Sequence, residues 1–171
     1  MKHRLLTRLF AFVLAALAST AVSADGLPVP TGPVVLTIAG AISETNVDGT
    51  AQFDVQMLQD LGVVEFATAT NWTEGVITFT DPALGAVLDR VGADGTTLRA
   101  MAINDYFADM PLDEARQEGP ILAFWMNGEE MSLRDKGPLW IIYPFDDNAD
   151  FRNEEIFRRS VWQLDRLDVM E

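Results

Sequence analysis

Cysteine is absent from the 171-residue chain, and histidine occurs once, at His3. Beyond that histidine, the absences exclude Ser-His-Asp and Cys-His catalysis, zinc held by His or Cys, c-type haem attachment and disulfide bonds. Lysine is nearly absent too, with only Lys2 and Lys136. Tyr106 and Tyr143 are the only phenols, so general acid–base work falls to carboxylates or to these two. Long apolar runs are also scarce. Leu9 to Ala18 is one, after the basic start of Lys2, Arg4 and Arg8 and before "STAVSA", where Val22 and Ala24 take the small-residue positions of a cleavage site. This order predicts a secretory signal peptide over residues 1–24 and one domain over 25–171. An uncleaved anchor is the alternative, and it calls for a longer run. The later run at 138–145 is far too short to cross a bilayer. The expected location is the periplasm, without membrane insertion after cleavage. A cysteine-free exported chain must hold by burial alone.

Positive charge is the next shortage. Twelve Lys and Arg face 26 Asp and Glu, a net charge of −14, and the predicted cleavage removes three basic and no acidic residues, leaving −17. Such an excess opposes nucleic acid and anionic membrane surfaces, and it favours solubility.

The rest of the chain reads as strands broken by short helices. "VVLTIAG" (34–40) is a predicted strand and "AISETNVDGT" the loop or hairpin after it. "FDVQMLQDLG" (53–62) has Phe53, Met57, Leu58 and Leu61 at helical spacing. "VVEFATAT" and "VITFT" are strands flanking a turn. "DPALGAVLDRVG" (81–92) is the clearest helix, with Asp81 as cap, Pro82 in the first turn and Leu84, Val87, Leu88 and Val91 as an apolar stripe. "TLRAMAI" (97–103) and "ILAFWM" (121–126) are strands, with a polar helical turn at 111–119 between them. Asn127-Gly128 is a hairpin turn. "PLWIIYPF" (138–145), apolar on both faces, is a central strand. "NEEIFRR" (153–159) is a short helix and "VWQLDRLDV" (161–169) a last strand. The expected fold class is α+β, with a mixed, largely antiparallel sheet and a few short helices.

Four phrases in order carry a resemblance: "WTEGVITFTDPALGAVL" (72–88), "INDYFADMP" (103–111), "LAFWMNGEEMSLRDKGPLWIIYPFD" (122–146) and "RSVWQLDRLDV" (159–169). Over roughly residues 33–170 the chain resembles the oxidoreductase molybdopterin-binding domain family, of sulfite-oxidase-type fold, and within it small exported proteobacterial members. The resemblance implies a pocket built by loops, which in active members holds a molybdenum–pterin cofactor through one Cys thiolate, with Arg and His side chains on the pterin phosphate. Their substrates are small oxyanions or oxidised sulfur compounds. The Cys would fall in or near Thr68 to Asn71, where this chain reads "TATN". A hydroxyl does not replace a soft thiolate on molybdenum. The implied reading is therefore a cofactor-free relative that binds a small molecule or anion, or a periplasmic or membrane protein, in an accessory or sensory role. A molybdenum–pterin oxidoreductase with atypical ligation is the alternative. Hydrolysis by a carboxylate pair is a third reading, although no spacing singles out a pair.

Candidate ligand residues follow, each with a plainer reading beside it. Thr68, Thr70, Asn71 and Trp72 mark the place of the missing thiolate, with Trp72 at a pocket rim or in the core. Asn104, Asp105 and Tyr106 lie near a pocket entrance or close a turn. Arg134 and Lys136 bind an anion, or they sit in a solvated turn beside Asp135. Arg158 and Arg159 form a second basic spot, expected to answer the acids of 146–155. Trp125 and Trp140 are expected in the core. "DDNAD" (146–150) begins like a calcium loop, but Phe151 and Phe157 occupy positions that need Gly and Glu. "NWT" (71–73) matches a glycosylation sequon without context to support it.

Overall fold

The last strand organises the molecule. In a computed structural model, which describes residues 26–117 and 119–171, β11 (Trp162–Met170) pairs with three others. It runs parallel to β1 (Leu36–Gly40) and antiparallel to β5 (Thr97–Ala102) and β10 (Leu139–Ile142). Beyond these lie β2 (Ala51–Phe53) on β1, β6 (Phe107–Pro111) on β5 and β7 (Ile121–Ala123) on β10, completing a seven-stranded mixed sheet. β10 is buried along its whole length between β11 and β7, as its unbroken apolar run predicts. A second, antiparallel sheet is ordered β3 (Val64–Ala69), β4 (Val76–Asp81), β8 (Trp125–Met126), β9 (Glu129–Glu130). The fold is α+β, as expected. The predicted signal peptide lies outside the described residues.

Among the described residues, four short α-helices, α1 (Val55–Gln59), α2 (Leu84–Arg90), α3 (Leu112–Arg116) and α4 (Glu154–Arg159), and a 3-10 turn at Ala149–Phe151 complete the fold. Asp54 caps α1 through Met57 N–H at 2.9 Å. It also accepts from Gly32 and Thr31 N–H, and these donors, Met57 first, hold its carboxyl below the usual range. Asn153 caps α4 through Glu155 and Ile156 N–H. The α2 stripe of Leu84, Val87, Leu88 and Val91 is fully buried, as its spacing predicts.

The structure corrects several expectations. Asp81 does not cap α2, because Pro82 and Ala83 stay extended. Leu122 N–H donates to the Pro82 carbonyl and Leu84 N–H to the Pro120 carbonyl, prolonging the strand pairing by two residues. "ILAFWM" is not one strand. It breaks at Phe124 and passes from the first sheet to the second, leaving Trp125 half-buried rather than in the core. Phe53 belongs to β2, because pairing with Leu36 outweighs its helical spacing. β6 is a strand to which the sequence reading assigned no element, since its exposed face carries Phe107, Asp109 and Pro111.

Arg159 joins two helices. Its buried guanidinium pairs with Glu114 of α3 at 2.6 Å and with Glu155 of its own helix, and its Nε has no partner among the described residues. Arg159→Ala should lower the unfolding free energy by about 1–2 kcal/mol in urea titration, since both carboxylates remain half-exposed and keep their water. A loss below the measurement error would show the network to be surface decoration.

Candidate functional site

The "ATATNWTEGV" stretch (67–76) ends β3, turns and begins β4. Its turn is fastened to the chain beyond β10. Ala69 N–H donates to the Asp146 carboxylate at 2.7 Å, and Asp146 N–H donates to Thr68 Oγ1 at 3.0 Å. Thr70 Oγ1 accepts from Trp72 N–H at 3.1 Å and shares a hydrogen bond with Thr73 Oγ1 at 2.8 Å. This turn delivers the Trp72 indole onto an aromatic cluster. Its ring centroid lies 5.7 Å from Trp140, 5.7 Å from Trp162, 5.8 Å from Phe157 and 6.2 Å from Phe145. Edge-to-face contacts dominate, as the ring quadrupoles favour. Trp140 is fully buried, as expected, and its Nε1–H donates to the Ser160 carbonyl at 3.1 Å.

Trp72, Phe157 and Trp162, all half-buried, wall a cavity of about 340 Å³. The buried Ala102 and Ser160 form its deep end, and the exposed Asn104, Tyr106 and Arg158 its mouth. The mouth is built on the turn between β5 and β6. Asp105 takes a left-handed backbone with φ 64°, and Asn104 Oδ1 accepts from Tyr106 N–H at 3.1 Å. Tyr106 Oη donates to the Arg158 carbonyl at 2.9 Å, tying this turn to α4. The Arg158 guanidinium has no hydrogen-bond or ion-pair partner among the described residues.

Trp72, Asn104 and Tyr106 thus come together from two sequence neighbourhoods. The other candidates do not join them at the cavity wall. Thr68 is buried and engaged with Asp146, and Asp105 shapes the turn without lining the cavity. Thr70 and Asn71 line a smaller hollow of about 170 Å³ with Phe145, Arg152 and Phe157. Arg134 stands exposed on a turn, and neither cavity includes it. Lys136 packs over Trp162 at 4.2 Å and Trp140 at 5.4 Å, a cation–π contact beside the wall. Sequence reading missed Ala102, Phe157, Ser160 and Trp162 as lining residues. It also paired both arginines of α4 with acids, whereas among the described residues only Arg159 is paired.

The lining contains no carboxylate and no nucleophile beside a base. Ser160 Oγ donates to the Ile156 carbonyl. The two groups whose ionisation burial shifts furthest lie elsewhere. Asp81 is pushed up to about 6 by burial, opposed by Phe124 N–H and the Gln59 side chain. Burial also raises the Tyr143 phenol, whose Oη reaches only Met110 Sδ at 3.9 Å.

No protein-family model matches the chain, and no curated protein matches it in sequence. Among solved structures it is similar to the sulfane dehydrogenase SoxCD from Paracoccus pantotrophus, with a TM-score of 0.60 and 17% identity. The match covers 79% of this chain and 37% of that one, so the chain spans little more than a third of that protein's length. The shared fold is of sulfite-oxidase type, which agrees with the resemblance read from the sequence. At this identity the likeness speaks for the fold alone.

The donors present do not fit the molybdenum–pterin group that this resemblance implies. The chain has no Cys. Where the thiolate would stand, Thr68 is buried with its oxygen accepting from Asp146 N–H, and Thr70 Oγ1 is engaged with Thr73 and Trp72. An alcohol hydroxyl is a hard, weakly acidic ligand and a poor match for a site built on a soft thiolate.

Proposed function

We propose that this chain acts by binding, as an exported accessory protein built on a sulfite-oxidase-type scaffold without the redox cofactor. The observation that carries this reading is the cavity at Trp72. It is walled by aromatic rings, has Arg158 at its mouth and has no carboxylate in its lining. Threonine hydroxyls where relatives would place a thiolate support the same reading. The predicted leader over residues 1–24 supports export, and the accessory or sensory role in the periplasm is part of the proposal, taken from the context of the fold and not from any one residue.

Metal and pterin analysis tests this on protein purified from the cells that make it. The expected result is folded protein with far less than one molybdenum per chain and no pterin fluorescence after oxidation. Stoichiometric molybdenum would overturn the reading. Small ligands of the cavity should raise the melting temperature in proportion to the logarithm of their concentration once they exceed Kd.

A second reading, docking of a protein partner, is favoured by one surface feature. Ile103, Tyr106 and Phe107 expose 48%, 46% and 51% of their surface around the cavity mouth. Ile103→Lys should leave ligand-induced stabilisation intact and abolish association if a partner docks there.

A further inference from the structure

We infer that the cavity at Trp72 takes a small aromatic monocarboxylate, its ring among Trp72, Phe157 and Trp162 and its carboxylate on Arg158 and Asn104. The inference rests on the binding reading above and names the ligand class of that site.

Size and surface point to the ring. A cavity of about 340 Å³ stands at the low end of the range for small-molecule sites, roughly 300–1,000 Å³. Its half-buried walls are two indoles and a phenyl ring, already committed to mutual edge contacts. A planar ring adds to such a cluster with little rearrangement and gains both burial and quadrupole contacts.

The polar groups point to the charge. Asn104 Oδ1 is occupied by Tyr106 N–H, which leaves its NH₂ as a donor. Among the described residues Arg158 has no hydrogen-bond or ion-pair partner, and no residue lining this cavity is acidic, although Asp109 and Glu155 line the adjoining hollow that Arg158 also borders. Donors and positive charge therefore meet at the mouth of a cavity within a protein of net charge −14. Aromatic walls can also attract cations. Here Lys136 already stands over the Trp162 ring at 4.2 Å, and Arg158 would repel a second positive charge. A planar carboxylate matches the guanidinium fork in geometry as well as in sign. Phosphate esters, with more oxygens and up to two charges, would call for more donors than the mouth offers.

The test uses one ring with three charges. Indole-3-acetate, indole-3-acetamide and tryptamine are titrated into the full chain by calorimetry at low salt, with acetate as the ringless control. Indole-3-acetate should bind about tenfold or more tighter than the acetamide, and tryptamine should bind weakest. Acetate alone should show no heat. Arg158→Gln should weaken indole-3-acetate about tenfold and leave the acetamide within about twofold. Among the described residues the Arg158 side chain has no hydrogen-bond or ion-pair partner, so the variant should fold, and circular dichroism checks that it does. Asn104→Ala should cost about threefold. Equal binding of all three ring compounds, or an Arg158→Gln variant that binds indole-3-acetate normally, would overturn the carboxylate class and leave the binding cavity standing. Failure of every ring compound at millimolar concentration would bring down both.

Discussion

Trp140→Ala should lower the unfolding free energy by about 4 kcal/mol, a large part of the roughly 5–15 kcal/mol that a domain has to lose. Trp140 is fully buried, so its removal deletes transfer free energy and leaves a void that rigid neighbours cannot fill. Those neighbours come from both sheets. Its ring lies 5.4 Å from Phe79 of β4 at 90°, and 6.3 Å from Trp162 of β11 at 89°. Losing the indole also leaves the buried Ser160 carbonyl without its 3.1 Å donor, a further cost of about 1 kcal/mol or more. Trp140→Phe keeps most of the volume and loses that hydrogen bond, so it should cost about 1–2 kcal/mol. Urea titration followed by far-UV circular dichroism measures both. The cavity should suffer with the core, because Trp72 and Trp162 both lean on Trp140. Near-UV dichroism from the coupled indoles should collapse in Trp140→Ala even where the variant remains folded. A stability loss below about 1 kcal/mol would mean the two sheets do not depend on this contact.

Asp81→Asn should stabilise the protein at neutral pH by about 2 kcal/mol, and the gain should vanish in acid. Asp81 ends β4, is only 2% exposed and takes an unusual backbone with φ 144°. Its Oδ2 accepts from Phe124 N–H at 3.0 Å, and among the described residues its Oδ1 has no partner at full hydrogen-bond geometry, with only the Gln59 side chain near enough to ease the charge. Phe124 is where the chain leaves the first sheet for the second, so Asp81 pins the crossover. The cost is a buried, half-satisfied charge, seen in a carboxyl raised from 3.8 to about 6. Between those values the folded chain binds the proton more readily than the unfolded chain does. This group's contribution is therefore full below pH 3.8, falls as pH rises and is lost above about 6. Asparagine has the same shape and no charge, and its carbonyl accepts from Phe124 in the same way. Stability curves of the two proteins should converge near pH 4 and separate by neutrality. A gain that is the same at both ends of that range would show that charge is not the cause. A loss at neutrality would show that the carboxylate is needed there.

Sequence and structure divide the candidate site along a physical line. Trp72 stood out because an indole in polar company is costly unless something covers it, and Phe157 and Trp162 do cover it. Asn104 and Tyr106 stood out because their residue types close turns, and the turn they close is the cavity mouth. Arg134 stood out as a cation in an acidic chain, yet the fold leaves it on an exposed turn away from the cavity. Arg158 and Arg159 are neighbours of one type, and nothing local separates them. One turns inward to Glu114, 45 residues away, and the other has no partner among the described residues. Asp81 carries a helix-cap signature, which strand pairing through Pro82 and Ala83 overrides.

By itself the sequence determined the local and the chemical. An unbroken apolar run placed the central strand, and the roughly 3.6-residue period of the helical backbone placed the α2 stripe. The absence of Cys and the lone His3 removed thiolate and most imidazole chemistry without reference to any fold. Only the tertiary structure decided which side chains share a cavity. Residues 72, 104, 106, 157, 158 and 162 meet there because β11 pairs with three strands from distant parts of the chain. Contacts between distant segments depend on how the whole sheet closes, and no window of sequence contains that information.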